Sequence, residues 1–229
     1  MIAVITPSIR EPELELNRQS LALQTFRDFK WYVCSPFEYK SCDVWIPEPP
    51  RNEGDFMGEN KAYNAIFDKV EGDLIVTLND SLWLKGNALE KFWEYYQKDP
   101  LSCVAMMGNH YAKVENGLGS DMTYEDVRRS SFTQPLSSST ITNFDACCSS
   151  FPVEALKKAG KIDPMWDKYC CFGPRELMFK IRALGYSLYI SSESGYLGQK
   201  HEKKYDPNNT WDIKFKEGKE IWEKMYEKS

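Results

Sequence analysis

The densest chemistry lies where an apolar run meets a polar turn: Asp73-Leu74-Ile75-Val76-Thr77-Leu78 is followed by Asn79-Asp80-Ser81. A carboxylate between an amide and a hydroxyl presents oxygen donors of the kind a hard divalent cation takes, although it binds more weakly than two carboxylates do. Arg10, three residues after Pro7, carries a planar guanidinium able to grip a phosphate through two N–H groups. Lys61 and Asn64 stand one helical turn apart, and Lys200, Lys203 and Lys204 add positive charge late in the chain. Taken in isolation, Asn79-Asp80-Ser81 is an ordinary polar turn, Arg10 and Lys61 are surface residues, and the lysine run is a solvated face. What raises them above that reading is the order of elements around them.

Ile2 to Thr6 is a β-rich run closed by Pro7, and Leu14, Leu21 and Phe26 recur on a helical period between Pro12 and Phe26. Lys30 to Cys34 and Asp43 to Ile46 are short strand candidates, each stopped by proline; Gly58 to Val70 reads as a helix, Asp73 to Leu78 as the strongest strand, and Asn87 to Gln97 as the helix after it. Strands alternating with helices predict an α/β layer structure with a largely parallel sheet. Ligands in such sheets sit beyond the carboxyl ends of the strands, so the loops starting at Pro7, Ser35 and Asn79 are expected to converge on one crevice.

Beyond residue 107 the pattern weakens. Gly108 to Ser150 is a long polar stretch with only short strand candidates such as Asp145 to Phe151; a segment of that length inside a compact domain is commonly functional. Pro152 to Ala159 and Pro174 to Leu184 read as helices with proline in the first turn, Ser187 to Ser191 as a strand, and Thr210 to Lys228 as a mostly charged helix.

The chain has 229 residues, with 29 Lys plus Arg against 34 Asp plus Glu for a net charge of −5, so it lacks the global positive field that non-specific nucleic-acid binding needs. Its longest apolar runs are far short of the roughly 20 residues of a membrane helix, and the N-terminus reads as a buried strand and not a signal peptide. The seven cysteines are an odd number, and the neighbours Cys147/Cys148 and Cys170/Cys171 are poor partners for each other, which favours reduced thiols and a cytoplasmic setting. With two histidines and no Cys-x-x-Cys, a structural zinc site is not expected. No Gly-x-x-x-x-Gly-Lys-Ser/Thr loop or Gly-x-Ser-x-Gly elbow occurs, against a P-loop NTPase or an α/β-hydrolase.

The stretch from Gly58 through Asn60, Lys61 and Asn64 to Gly72-Asp73-Leu74-Ile75-Val76-Thr77-Leu78-Asn79-Asp80-Ser81 resembles the core of a family 2 type, GT-A fold glycosyltransferase. Ile5-Thr6-Pro7, Arg10 and Leu21-x-x-Gln24-Thr25-Phe26-x-Asp28-Phe29 are similar to that family's first strand and helix. Gly173-Pro174-Arg175-Glu176 with Arg182 and Gly185-Tyr186 resembles the part carrying its acid motif. The likeness runs from about Met1 to His201. It implies one Rossmann-like GT-A domain over residues 1–205 (a nucleotide-sugar half, 1–107, and an acceptor half, 108–205), with a mostly parallel sheet flanked by helices and a C-terminal helical extension over 206–229.

The resemblance also implies roles. Thr6, Pro7 and Arg10 would cradle the nucleoside and diphosphate of a nucleotide-diphosphate sugar, a UDP-sugar above all, with Lys61, Asn64, Asn79, Asp80 and Ser81 lining the same crevice. Asp80 and His201 would ligate Mn²⁺ or Mg²⁺, although the family's two aspartates are here Asn79 and Ser81. Glu176 would be the general base of an inverting transfer to an acceptor hydroxyl, with Asp167 in reserve. Trp83, Trp166, Tyr169 and Phe172 flank these motifs, and one or two are expected to meet a sugar face. The acceptor is left open among glycan, protein, lipid-linked glycan and modified DNA base. The rivals are a non-catalytic sugar-nucleotide or glycan-binding module on the same fold, and a nucleotidyltransferase, disfavoured by the lack of a glycine-rich basic loop.

Overall fold

The computed structural model describes residues 1–56, 58–126, 134–136, 143–144, 146–169, 172–200 and 210–227. Among the described residues ten strands form one mixed sheet, packed by six α-helices. The first half gives β1 (Ile2–Pro7), α1 (Glu11–Ala22), β2 (Phe29–Ser35), β3 (Val44–Pro47), α2 (Glu59–Phe67), β4 (Leu74–Leu78), β5 (Leu82–Leu84) and α3 (Ala88–Lys98). The second gives β6 (Ser102–Glu115), β7 (Leu118–Tyr124), β8 (Gln134–Pro135), β9 (Cys148–Pro152), α4 (Val153–Ala159), α5 (Phe172–Ala183), β10 (Ser187–Gln199) and α6 (Thr210–Trp222).

The strands lie in the order β3-β2-β1-β4-β9-β6-β10-β5, with β7 paired to β6 and β8 to β10. β3, β2, β1 and β4 are parallel, as are β6 and β10, while β9 runs antiparallel between β4 and β6. β1, β4 and most of β2 are buried on both faces, which is why they read as nearly unbroken apolar runs. Ala3, Ile5, Tyr32 and Ile75 pack under α2, α4 and α5, whereas Ile2, Val4, Trp31, Leu74 and Val76 pack under α1 and α3. Helices therefore cover both faces, as the sequence pattern predicts.

Two differences from the sequence reading matter for the site. The stretch after Gly108 is not a long polar loop at its start: β6 continues to Glu115 and folds back through Asn116-Gly117 into β7. Both turn residues have positive φ, 49° and 77°, the backbone of a two-residue hairpin turn whose twist matches the flanking strands. All of β7 is exposed, so no apolar alternation marks it. β10 likewise runs well past Ser191, through a register shift between Ser191 and Tyr196, to Gln199.

The C-terminal helix is seated by aromatics. Trp222 lies 5.7 Å from Trp166, 5.8 Å from Phe172 and 5.4 Å from Phe179 by ring centroid, and Arg175 stacks over Phe172 and Trp222. Trp166 and Phe172, expected as possible sugar platforms, are fully buried here and serve as packing.

Candidate functional site

β1 has β2 on one side and β4 on the other, so the connections diverge there and a crevice opens beyond Pro7 and Leu78. The first residues beyond those ends meet across it. Ser8 Oγ donates to Asp80 Oδ2 at 2.6 Å, Arg10 Nε donates to the same oxygen at 3.0 Å, and Arg10 Nη2 donates to Asp80 Oδ1 at 2.5 Å. Asp80 is only 4% exposed. A two-pronged guanidinium–carboxylate pair in so sheltered a place fixes both partners in orientation as well as in charge.

The turn that carries Asp80 is held from three sides. Asn17, reaching up from α1, donates its amide N–H groups to Asn79 O (3.0 Å) and Leu82 O (2.7 Å). Asn79 donates its backbone N–H to Cys147 O and its side-chain amide to Cys147 Sγ, and its amide oxygen accepts from Tyr63 OH. Ser81 O accepts from Gln199 N at 2.8 Å, which ties the turn to the end of β10.

Other residues singled out in the sequence are committed to the framework. Thr6 is fully buried, its hydroxyl accepting from Trp31 Nε1 at 3.0 Å. Asn64 exchanges both polar atoms of its amide with the backbone of Ile162, at 2.8 and 2.9 Å, so it joins α2 to the segment before α5 instead of facing the crevice. Lys61 Nζ is paired with Asp55 Oδ2 at 2.7 Å and donates to Pro50 O, which ties both residues to α2. Pro7 ends β1 opposite Cys34 of β2.

Glu176 is buried on α5. Its carboxylate accepts from Asp163 N (3.2 Å) and Tyr226 OH (3.3 Å) and lies 3.3 Å from Lys180 Nζ. Burial, with the Glu176 charge beside it, pushes the Tyr226 phenol up from its ordinary value, so it stays a donor. Asp167 has no exposed surface; its two oxygens accept from the backbone N–H groups of Asn60 (2.8 Å) and Lys61 (3.2 Å). It thus caps α2 from a distance of more than a hundred residues, and burial pushes its carboxyl up despite those two donors. The start of α5 is equally close to α2: a Cβ at Gly173 would stand 1.9 Å from Asn60 Oδ1, which only glycine avoids.

The donor set at the turn does not fit a divalent cation as it stands. Asp80 is the one carboxylate of Asn79-Asp80-Ser81, and both its oxygens are already held by Arg10 and Ser8. Asn79 and Ser81 offer neutral oxygens only. His201, Lys203 and Lys204 lie outside the described residues. Among the described residues no three of His, Cys, Asp and Glu come together as a metal cage.

Beside the turn opens a cavity of about 450 Å³ lined by Ser81, His110, Thr123, Tyr124, Gln199 and Lys200. β6 brings His110 opposite Gly198 of β10, and its imidazole meets Tyr124 and Tyr196 edge-on, with centroids 5.9 and 5.8 Å away. A side chain at Gly198 would strike the His110 ring. Sequence reasoning missed His110 and Tyr124 because it missed the hairpin that carries them. The Asn116-Gly117 dipeptide was the available signal.

The family model described as glycosyl transferase family 2 matches residues 51–160. Among solved structures the chain is similar to S. aureus TarS (TM-score 0.65, 14% identity, 87% of this chain and 36% of that one). It is similar too to TarS 1-349 in complex with UDP-GlcNAc (TM-score 0.64, 15%, 88% and 59%). A third is GalNAc-T7 with UDP, GalNAc and Mn²⁺ (TM-score 0.70, 13%, 99% and 49%). At such identities the likeness shows the fold, and the chain spans well under two thirds of each of these proteins. No curated protein sequence matches. Among the described residues no helix is long and apolar enough to cross a membrane.

Proposed function

From a GT-A fold of the nucleotide-sugar transferase kind, matched over residues 51–160 by the family 2 model, we propose that this chain transfers a glycosyl group from a nucleoside-diphosphate sugar to an acceptor hydroxyl. The observation that carries it is the Ser8–Arg10–Asp80 cluster at the point where the sheet connections diverge. The matched region spans α2, β4 and the Asn79-Asp80-Ser81 turn, so Asp80 lies inside the family match, while Ser8 and Arg10 reach it from the loop after β1. UDP is the favoured nucleotide because the similar structures hold UDP or UDP-GlcNAc.

The reaction is a displacement at the anomeric carbon. The acceptor oxygen forms a bond to that carbon, the bond to the diphosphate oxygen breaks, and the nucleoside diphosphate leaves with the electron pair. A single step of this kind inverts the configuration. Developing negative charge on the diphosphate calls for positive groups, which Arg10, held by Asp80, and Lys200, on the cavity wall, supply. The acceptor enters through the cavity beside Ser81, and its proton must go to a base there.

Two groups compete for that role. The Glu176 carboxylate is taken up by Asp163 N–H, Tyr226 and Lys180, an arrangement suited to holding the C-terminal segment against α5. His110 lines the cavity, and an imidazole can take a proton near neutral pH. We therefore assign the base to His110. His110→Ala is expected to lower kcat about a hundredfold, in the range of general-base effects, while UDP-sugar affinity by calorimetry holds. A loss carried by Glu176→Gln instead, with His110→Ala active, returns the role to Glu176.

A second reading, a binding module on the same fold, has the neutral Asn79 and Ser81 in its favour. It expects UDP-sugar binding without turnover. A screen of UDP-, GDP-, TDP- and CMP-sugars by thermal shift, followed by assay of nucleotide release with candidate acceptors, separates the two. If none of the four raises the melting temperature, both readings fail.

A further inference from the structure

We infer that Arg10 stands in for the metal cation at this site, so that the diphosphate of the donor is bound without Mn²⁺ or Mg²⁺. The inference rests on the sugar-nucleotide reading above and names how that same site handles charge.

Charge balance at the turn points this way. A dication held by two carboxylates is a neutral unit that still presents a concentrated positive pole to a phosphate. Here one carboxylate remains, and it is paired with one guanidinium, again a neutral unit with its positive pole fixed. Asn79 and Ser81 contribute no charge to the turn, so the one carboxylate there, Asp80, is balanced by the Arg10 guanidinium from the loop after β1.

Geometry agrees. Asp80 Oδ1 accepts from Nη2 and Oδ2 from Nε and from Ser8 Oγ, so a cation approaching the carboxylate must first displace a buried ion pair. Arg10 is itself 17% exposed against 5% for Asp80, so the guanidinium is the partner nearer the crevice. A guanidinium has five N–H groups, and the Asp80 pair is made through the Nε and Nη2 edge. Planar forks of this kind match phosphate oxygens two at a time, which an ammonium cannot do. Ser8 fixes the loop, because its backbone N–H is tied to Cys34 O at 2.9 Å and its hydroxyl accepts from Arg10 N at 2.9 Å.

UDP is the probe, titrated calorimetrically into the full chain in excess EDTA and again in Mn²⁺. Wild type is expected to bind with affinities that agree within about threefold between the two buffers, a difference under one kcal/mol. Arg10→Ala is expected to weaken UDP at least about tenfold in both, and Arg10→Lys to recover only part, since it restores charge without the fork. Should Arg10→Ala fold poorly, the wild-type comparison decides alone. Wild-type binding that gains tenfold or more from Mn²⁺ overturns the inference and leaves the sugar-nucleotide reading intact. Absence of UDP binding in either buffer overturns that reading, and the inference with it.

Discussion

Asp80→Ala is expected to be among the most damaging single changes in this chain, for folding and for function together. It removes one half of an ion pair whose other half, Arg10, is mostly buried, and so leaves a guanidinium without its carboxylate. Breaking a buried pair from one side costs about 3–5 kcal/mol, and the partial exposure of Arg10 places this case near the lower figure. For a chain of this size that corresponds to a fall of roughly 6–12 °C in Tm. With Arg10 no longer oriented and the Ser8 hydroxyl deprived of its shorter hydrogen bond, to Asp80, kcat/KM should fall by about three orders of magnitude, or 4 kcal/mol of transition-state stabilisation. Urea denaturation and nucleotide-release kinetics read the two effects separately. The double variant Arg10→Ala with Asp80→Ala should be less destabilised than Asp80→Ala alone, because it leaves no orphaned charge. A double variant that is the less stable of the two would show that the pair does not couple as the geometry implies.

That pair illustrates which parts of the site were readable in the sequence. Asp80 could be placed because a strand as apolar as Leu74–Leu78 had to end in the crevice, and the parallel α/β pattern fixed which end faces a ligand. Arg10 could be nominated for a phosphate by its chemistry. Their mutual pairing, 70 residues apart in sequence, depends on the lateral order of β1 and β4, which no local pattern encodes. Asn64 shows the opposite limit. Helical spacing says which residues share a face with it, but not that the backbone of Ile162 waits there to take both ends of its amide.

The same physics separates the two halves of the fold. β1, β2 and β4 are covered on both sides, so burial wrote itself into unbroken apolar runs and their boundaries were read to within a residue or two. β7 is exposed throughout, and the outer part of β10 is interrupted by a register shift, so neither carries a hydrophobic signature. What remained legible there was turn chemistry, Asn116-Gly117, whose pair of positive φ values closes the hairpin. Missing it hid His110 and the cavity wall.

Asp167 supplies the second large effect, on stability. Asp167→Ala leaves the backbone N–H groups of Asn60 and Lys61 without acceptors at the start of α2, in a place where Asp167 itself has no exposed surface. One buried and one part-buried donor left unsatisfied cost about 2–4 kcal/mol together. The pH dependence has a definite sign. Burial raises the folded carboxyl above its ordinary value, so the folded state holds the proton more tightly than the unfolded chain does. The stability that Asp167 adds through this titration is complete below the ordinary carboxylate range and is lost as pH rises through the folded pKa. The alanine variant cannot titrate there, so its deficit against wild type should be larger at about pH 4 than at about pH 7. Paired urea melts at the two pH values measure it. A deficit that shrinks on acidification would mean that the two backbone donors outweigh burial, and that Asp167 holds α2 as a firmly ionised cap.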